Sequence, residues 1–121
     1  MINGFEEITA PLTDKEIELI PAFKQGLEKH VGEDNPVTSK HIIFGIQQNY
    51  NVKINGSQVR KIINAIRRES IVTRVVASSK GYYREPDDDK FKRYIESLRQ
   101  RAGAIDAVAD SLEEQIRETV L

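Results

Sequence analysis

At 121 residues, with 39% apolar and 31% charged side chains and a net charge of −1, the chain has room for one ordinary domain and an appended element, which excludes a large multi-domain enzyme. It contains no cysteine, so disulfides, zinc–thiolate clusters and cysteine nucleophiles are excluded, and a reducing, cytoplasmic setting is expected. The opening MINGFEEITAPLTD has neither a basic n-region nor an apolar h-region, so neither secretion nor a membrane partner is expected.

Residues 1–12 lack a clear period and read as a loose N-terminal arm. Thr13-Asp-Lys-Glu16 matches a capping box, so the first helix is expected to start there. Ile17, Ile20, Phe23 or Lys24, Leu27 and Val31 follow at helical spacing, with Pro21 as an internal kink or restart and Gly32 as the stop. Glu33-Asp-Asn-Pro36 predicts a turn, and Ser39 the cap of a short second helix faced by Ile42, Ile43 and Ile46. A turn-rich link, residues 49–56, precedes a third helix over 57–68 that starts at Ser57 and carries Val59, Ile62, Ile63 and Ile66 on one stripe.

The texture then changes. Residues 71–77 are β-branched and strand-like, Ser78-Ser-Lys-Gly81 has turn chemistry, and residues 82–84 form a short return strand. Tyr82 and Tyr83 point to opposite faces, and packing is the expected role of both. Asp87, Asp88 and Asp89 suit the positive end of a helix better than a cation site, so no metal is expected. In the last helix Phe91, Ile95, Leu98, Ala102, Ile105, Ala109, Leu112, Ile116 and Thr119 alternate steps of four and three. Such a heptad seam, longer than a small domain can cover, predicts a coiled-coil homodimer. Gly103, between two alanines, marks a bend or a close helix crossing. Against that reading stands a helix laid across helix 1 of its own chain.

The near-neutral net charge conceals a strong pattern. Residues 1–56 hold 5 Lys/Arg against 8 Asp/Glu, residues 57–84 hold 7 against 1, and residues 85–121 hold 6 against 10. Cations are therefore gathered on the third helix and the hairpin, a local footprint suited to phosphate. Helix, helix, Gly-containing turn, helix and two-stranded hairpin is the order of a winged helix-turn-helix, in which the third helix reads the major groove. On that helix Ser57, Lys61, Asn64 and Arg68 lie opposite the apolar stripe, with Arg60 and Arg67 on one flank and Gln58 on the other. Arg and Lys suit guanine O6 and N7, and Asn or Gln suits adenine. Arg74, Lys80 and Arg84 would add hairpin contacts, with Lys80 at the tip. Ser39, Lys40 and His41, opening helix 2, are further backbone-contact candidates.

Gly56-Ser-Gln-Val-Arg-Lys-Ile-Ile-Asn-Ala-Ile-Arg-Arg68, the wing Ala77-Ser-Ser-Lys-Gly-Tyr-Tyr83 and the helix Tyr94-Ile-Glu-Ser-Leu-Arg-Gln-Arg-Ala102 resemble stretches of a group of phage- and prophage-encoded winged-helix proteins. The resemblance runs from Gly56 to Ile105 and implies a DNA-binding fold. Arg74 in the strand and the N-terminal arm depart from that pattern.

The sequence thus predicts an α+β, mainly α fold: an arm over 1–12, a winged helix-turn-helix over 13–85, and a C-terminal helix over 86–121 that pairs subunits. A two-fold dimer would favour a palindromic double-stranded DNA site with half-sites about 34–36 Å apart, or multiples of that spacing. The other reading is an assembly adaptor that meets an acidic protein and no DNA. Nucleophile-elbow, P-loop and His-Glu-x-x-His motifs are absent, and His30 and His41 lack partners at ligand or triad spacing, so neither catalysis nor a cofactor is expected.

Overall fold

The computed structural model describes residues 10–119, the side chain of Thr119 excepted. Within them lie α1 (Asp14–Glu28), α2 (Ser39–Tyr50), α3 (Gly56–Arg68), β1 (Val75–Ser78), β2 (Gly81–Arg84) and α4 (Asp88–Thr119), an α+β and mainly helical architecture. Contacts divide the chain after Pro86 into a unit holding α1 to β2 and a unit holding α4. No helix among the described residues is long and apolar enough to cross a membrane.

The first unit is organised around α3. Its stripe of Val59, Ile62, Ile63 and Ile66 is only 0–1% exposed, and the helix packs on both α1 and α2. Leu19, Phe23 and Leu27 of α1 and Ile46 of α2 complete this core. α1 keeps its expected start, since Thr13 is the N-cap of a full capping box with Glu16. The expected inward stripe of α1 is corrected, however. Ile17 and Val31 are exposed, while Glu16 and Leu19 are buried. The capping carboxylate is drawn inward and sets the phase, so that positions 16, 19, 23 and 27 face the core. Pro21 lies inside the helix without ending it, although its missing N–H leaves one helical bond unmade.

Most of the expected arm, residues 1–9, lies outside the described residues, but Leu12 packs against the core and so belongs to the domain. Thr38, one residue before the expected Ser39, caps α2 by accepting from the His41 amide at 3.2 Å. α3 closes in a Schellman motif: Ser70 N–H donates to Arg67 O at 3.3 Å and Ile71 N–H to Ile66 O at 3.0 Å, with Ser70 left-handed at φ 55°. Arg74 is left-handed as well, at φ 65°. These two reversals explain why the strand expected from Ile71 starts only at Val75.

β1 and β2 are antiparallel, with Val75 opposite Arg84 and Ser78 opposite Gly81. The segment between α1 and α2, expected as a plain turn, lines the other edge of β2. Arg84 N–H donates to His30 O and Gly32 N–H to Arg84 O, both at 2.8 Å, while Val37 and Tyr82 exchange both backbone bonds at 2.9 and 2.8 Å. The hairpin is thereby fixed to the helical core by backbone bonds. Tyr83 is buried and Tyr82 is partly buried against the core.

α4 opens at Asp87, whose Oδ1 accepts from the Lys90 amide at 2.9 Å. That bond chiefly holds its carboxyl below the ordinary range. The helix continues through Gly103 for 32 residues, about 48 Å at ~1.5 Å per residue.

Gly81 is the tightest point of the hairpin: its φ is +129°, and a Cβ there would meet Val37 O at 2.4 Å. Gly81→Ala is expected to lower unfolding free energy by about 2–4 kcal/mol through backbone strain and overpacking. Urea denaturation checks this, and a loss below about 0.5 kcal/mol would contradict the geometry.

Candidate nucleic-acid interface

The functional face of α3 follows from how the helix begins. Asn55, and not the expected Ser57, is the N-cap. Gln58 N–H donates to Asn55 Oδ1 at 2.9 Å, and Asn55 N–H donates to Gln58 Oε1 at 3.1 Å. This box commits the Gln58 side chain to the helix start. Its Nε2 also donates to Glu16 Oε2 at 3.4 Å.

Glu16 is the centre of a small polar network. Its Oε1 accepts from Lys61 Nζ at 2.8 Å and from the Thr13 amide at 2.8 Å. The two charged side chains are only 4% and 14% exposed, for Glu16 and Lys61 respectively. Burial by itself would raise the Glu16 pKa, but the Lys61 ammonium together with the hydrogen bonds from Thr13 and Gln58 outweighs it, and the carboxyl is held below its ordinary value. Lys61, expected on the reading face, and Gln58, expected on its flank, instead both turn toward α1 and donate to Glu16. The apolar stripe sits on the core side of α3, and the flank beside it is where an acidic neighbour captured them.

The remaining polar residues of α3 fall together. Arg60 and Arg68 are exposed, and Ser57, Asn64 and Arg67 are half-buried on the same side of the helix. Arg60 Nη2 donates to Ser57 Oγ at 3.3 Å, and Arg68 has no side-chain partner among the described residues. α3 contains no acidic residue, so with Lys61 neutralised by Glu16 the outer face still carries three arginines.

The hairpin cations divide differently. Arg74 is half-buried, its Nε donating to Glu85 O at 2.6 Å, and Glu85 N–H returns to Arg74 O at 2.9 Å. Arg84 donates from Nε to Thr73 O at 3.0 Å and from Nη2 to Thr73 Oγ1 at 3.2 Å. Arg74 is thus corrected from a wing contact to a brace between the two ends of the hairpin. Arg84 commits two donors to Thr73. Lys80 stands exposed in the Ser79-Lys80 turn, where its amide donates to Ser78 Oγ at 3.2 Å.

At the start of α2, Lys40 is exposed, and near it Phe44 is 64% exposed. Phe44, Thr38 and Asn55 escaped the sequence reading, and so did the pairing of Glu16, expected only as a capping residue, with Lys61 and Gln58. Asn55-Gly-Ser-Gln58 did carry a signal for the cap, since its first and last residues have capping-box chemistry at capping-box spacing.

Along α4 the expected seam residues share one side by their spacing. Phe91 is half-buried, Ile95 and Leu98 are just over a third exposed, and Ala102 and Ala109 are exposed. Ile105, Leu112 and Ile116 are 57%, 55% and 64% exposed. The side chain of Thr119 lies outside the described residues.

Compared with known proteins, the chain matches no family model, no curated protein and no solved structure.

The Glu16 network makes stability depend on acid in a defined direction. A carboxyl whose folded pKa lies below its unfolded one contributes fully above the unfolded value, and the contribution is lost as pH falls through the folded value. Lys61→Met, which leaves Glu16 buried without its cation, is expected to cost about 3–5 kcal/mol near neutral pH. The stability gap between the native chain and Glu16→Gln is expected to narrow below pH ~4. Urea midpoints across the pH range check both, and a gap independent of pH would contradict this assignment.

Proposed function

We propose that this chain is a cytoplasmic, non-enzymatic winged helix-turn-helix protein that binds double-stranded DNA. Its place would be that of a transcriptional regulator or replication-associated factor of phage or mobile-element type. α3 enters the major groove, the hairpin is the wing, and two copies are held together through α4. The order α1, α2, α3, β1, β2 supports the winged-helix reading, as does the backbone pairing of β2 with residues 30–37.

One observation carries the proposal: the buried stripe of α3 leaves Arg60 and Arg68 exposed and Arg67 half-buried on the face away from the core, with Asn64 between them, on a helix free of acidic residues. Arginine forks suit guanine edges and phosphate oxygens, and each good bidentate base contact discriminates by about 1–3 kcal/mol. Lys80 at the hairpin turn is placed for a phosphate. Acidic surroundings elsewhere in the chain disfavour indiscriminate binding.

A second reading, a winged-helix adaptor for an acidic protein, is favoured by Phe44. A largely exposed aromatic ring gains nothing from phosphates and much from a protein surface.

Salt dependence separates the two. DNA affinity is expected to fall with a log–log slope of about −0.9 per phosphate contact. Arg60→Ala with Arg68→Ala is expected to weaken duplex binding about 10- to 100-fold and to flatten that slope by about 1–2. Titration of labelled duplex at several salt concentrations checks this, and unchanged affinity at physiological salt would overturn the reader role of α3.

A further inference from the structure

α4 exposes an apolar face of Ile105, Leu112 and Ile116, continued toward its start by Ile95 and Leu98. We infer that a second copy of α4 covers this face running in the opposite direction, about a two-fold axis that passes between Gly103 and Ala104. This orientation rests on the dimer proposed above and adds its geometry.

Side-chain size is the first argument. Seam positions are symmetric about that axis, so antiparallel pairing layers Phe91 on Ile116, Ile95 on Leu112, Leu98 on Ala109 and Ala102 on Ile105 of the second copy. Each alanine then meets a large residue, and facing layers of unlike size interdigitate without voids. Parallel pairing in register would set Ala102 on Ala102 and Ala109 on Ala109, two thin layers next to bulky ones.

Charge points the same way. From 88 to 101 the helix holds five Lys/Arg and three Asp/Glu, and from 102 to 119 one and five. The positions that flank the seam on one side are Lys92, Arg99, Asp106 and Glu113, all exposed. Antiparallel helices bring flanks of this kind together, Lys92 beside Glu113 and Arg99 beside Asp106, each twice by symmetry. Within the 88–119 helix a parallel pair retains only the Arg101–Asp106 attraction across the seam, with Asp87–Lys92 at its very start. Opposed helix dipoles add to the preference.

The consequence concerns reach. In the antiparallel pair the two Asp88 residues lie about 46 Å apart along the rod, at ~1.5 Å per residue. The two DNA-binding units would therefore be tethered at opposite ends of the rod.

The chain has no cysteine of its own, which makes thiol cross-linking clean. Under mild oxidation with copper phenanthroline, the full chain carrying Leu98→Cys and Ala109→Cys together is expected to form covalent dimers. Either change alone is expected not to, because its two thiols would sit about 16 Å apart along the axis, beyond disulfide reach. A nitroxide on Asp89→Cys, away from the seam, is expected to report about 44 Å between copies, against about 20 Å for a parallel pair. Efficient cross-linking by either single variant, or the short label distance, with a dimeric mass by light scattering, overturns the orientation and leaves the dimer standing. A monomeric mass for the unaltered chain overturns the dimer itself, and this inference with it.

Discussion

Everything in the first unit is referred to the burial of one narrow stripe on α3. Val59, Ile62, Ile63 and Ile66 are sealed against α1 and α2, and β-branched side chains have little χ1 freedom within a helix. Complete burial of each contributes about 1.5–3 kcal/mol, so turning the helix about its axis would forfeit most of the core. The helix therefore has one permitted rotation. That rotation selects which cations face water and which face a neighbour, a choice that composition alone leaves open.

Glu16 shows the second half of that selection. A carboxylate taken out of water is tolerated because Lys61, the Thr13 amide and Gln58 all donate to it. The same network joins the first turn of α1 to the first turns of α3. Buried ion pairs add little net stability compared with apolar packing, but they penalise any arrangement that separates the partners. Glu16 and Lys61 thus tie the phase of α1 to the rotation that the stripe imposes on α3. β2 performs the corresponding task for the hairpin through bonds to both of its edges.

Strongly periodic features were legible in the sequence. The Thr13–Glu16 box, the α3 stripe, the hairpin with its turn within residues 78–81 and the length of α4 all carry local patterns that tertiary contacts had no reason to override. What escaped depended on distant partners. Lys61 reads as one more cation on a basic helix until Glu16, 45 residues away, is folded against it. Residues 30–37 make isolated bridges to β2, too short for a strand period to emerge. The strand predicted from Ile71 was cut back by left-handed backbone at Ser70 and Arg74, residues in which such a conformation is unusual. Arg74 and Arg84 look like plain wing cations in one dimension, whereas in the fold they also donate to Glu85 and Thr73.

The proposed interface is consequently narrower than the charge map of the sequence, and better defined: three arginines and an asparagine on one helical face, with a lysine at a hairpin turn. Mapping backbone amide shifts by NMR as duplex DNA is titrated into the full chain tests this most directly. Perturbations are expected to concentrate at Ser57, Arg60, Asn64, Arg67, Arg68 and Lys80, with residues 105–119 unmoved. Shifts that spread along α4 and spare α3, or no saturable shift at all, would contradict it.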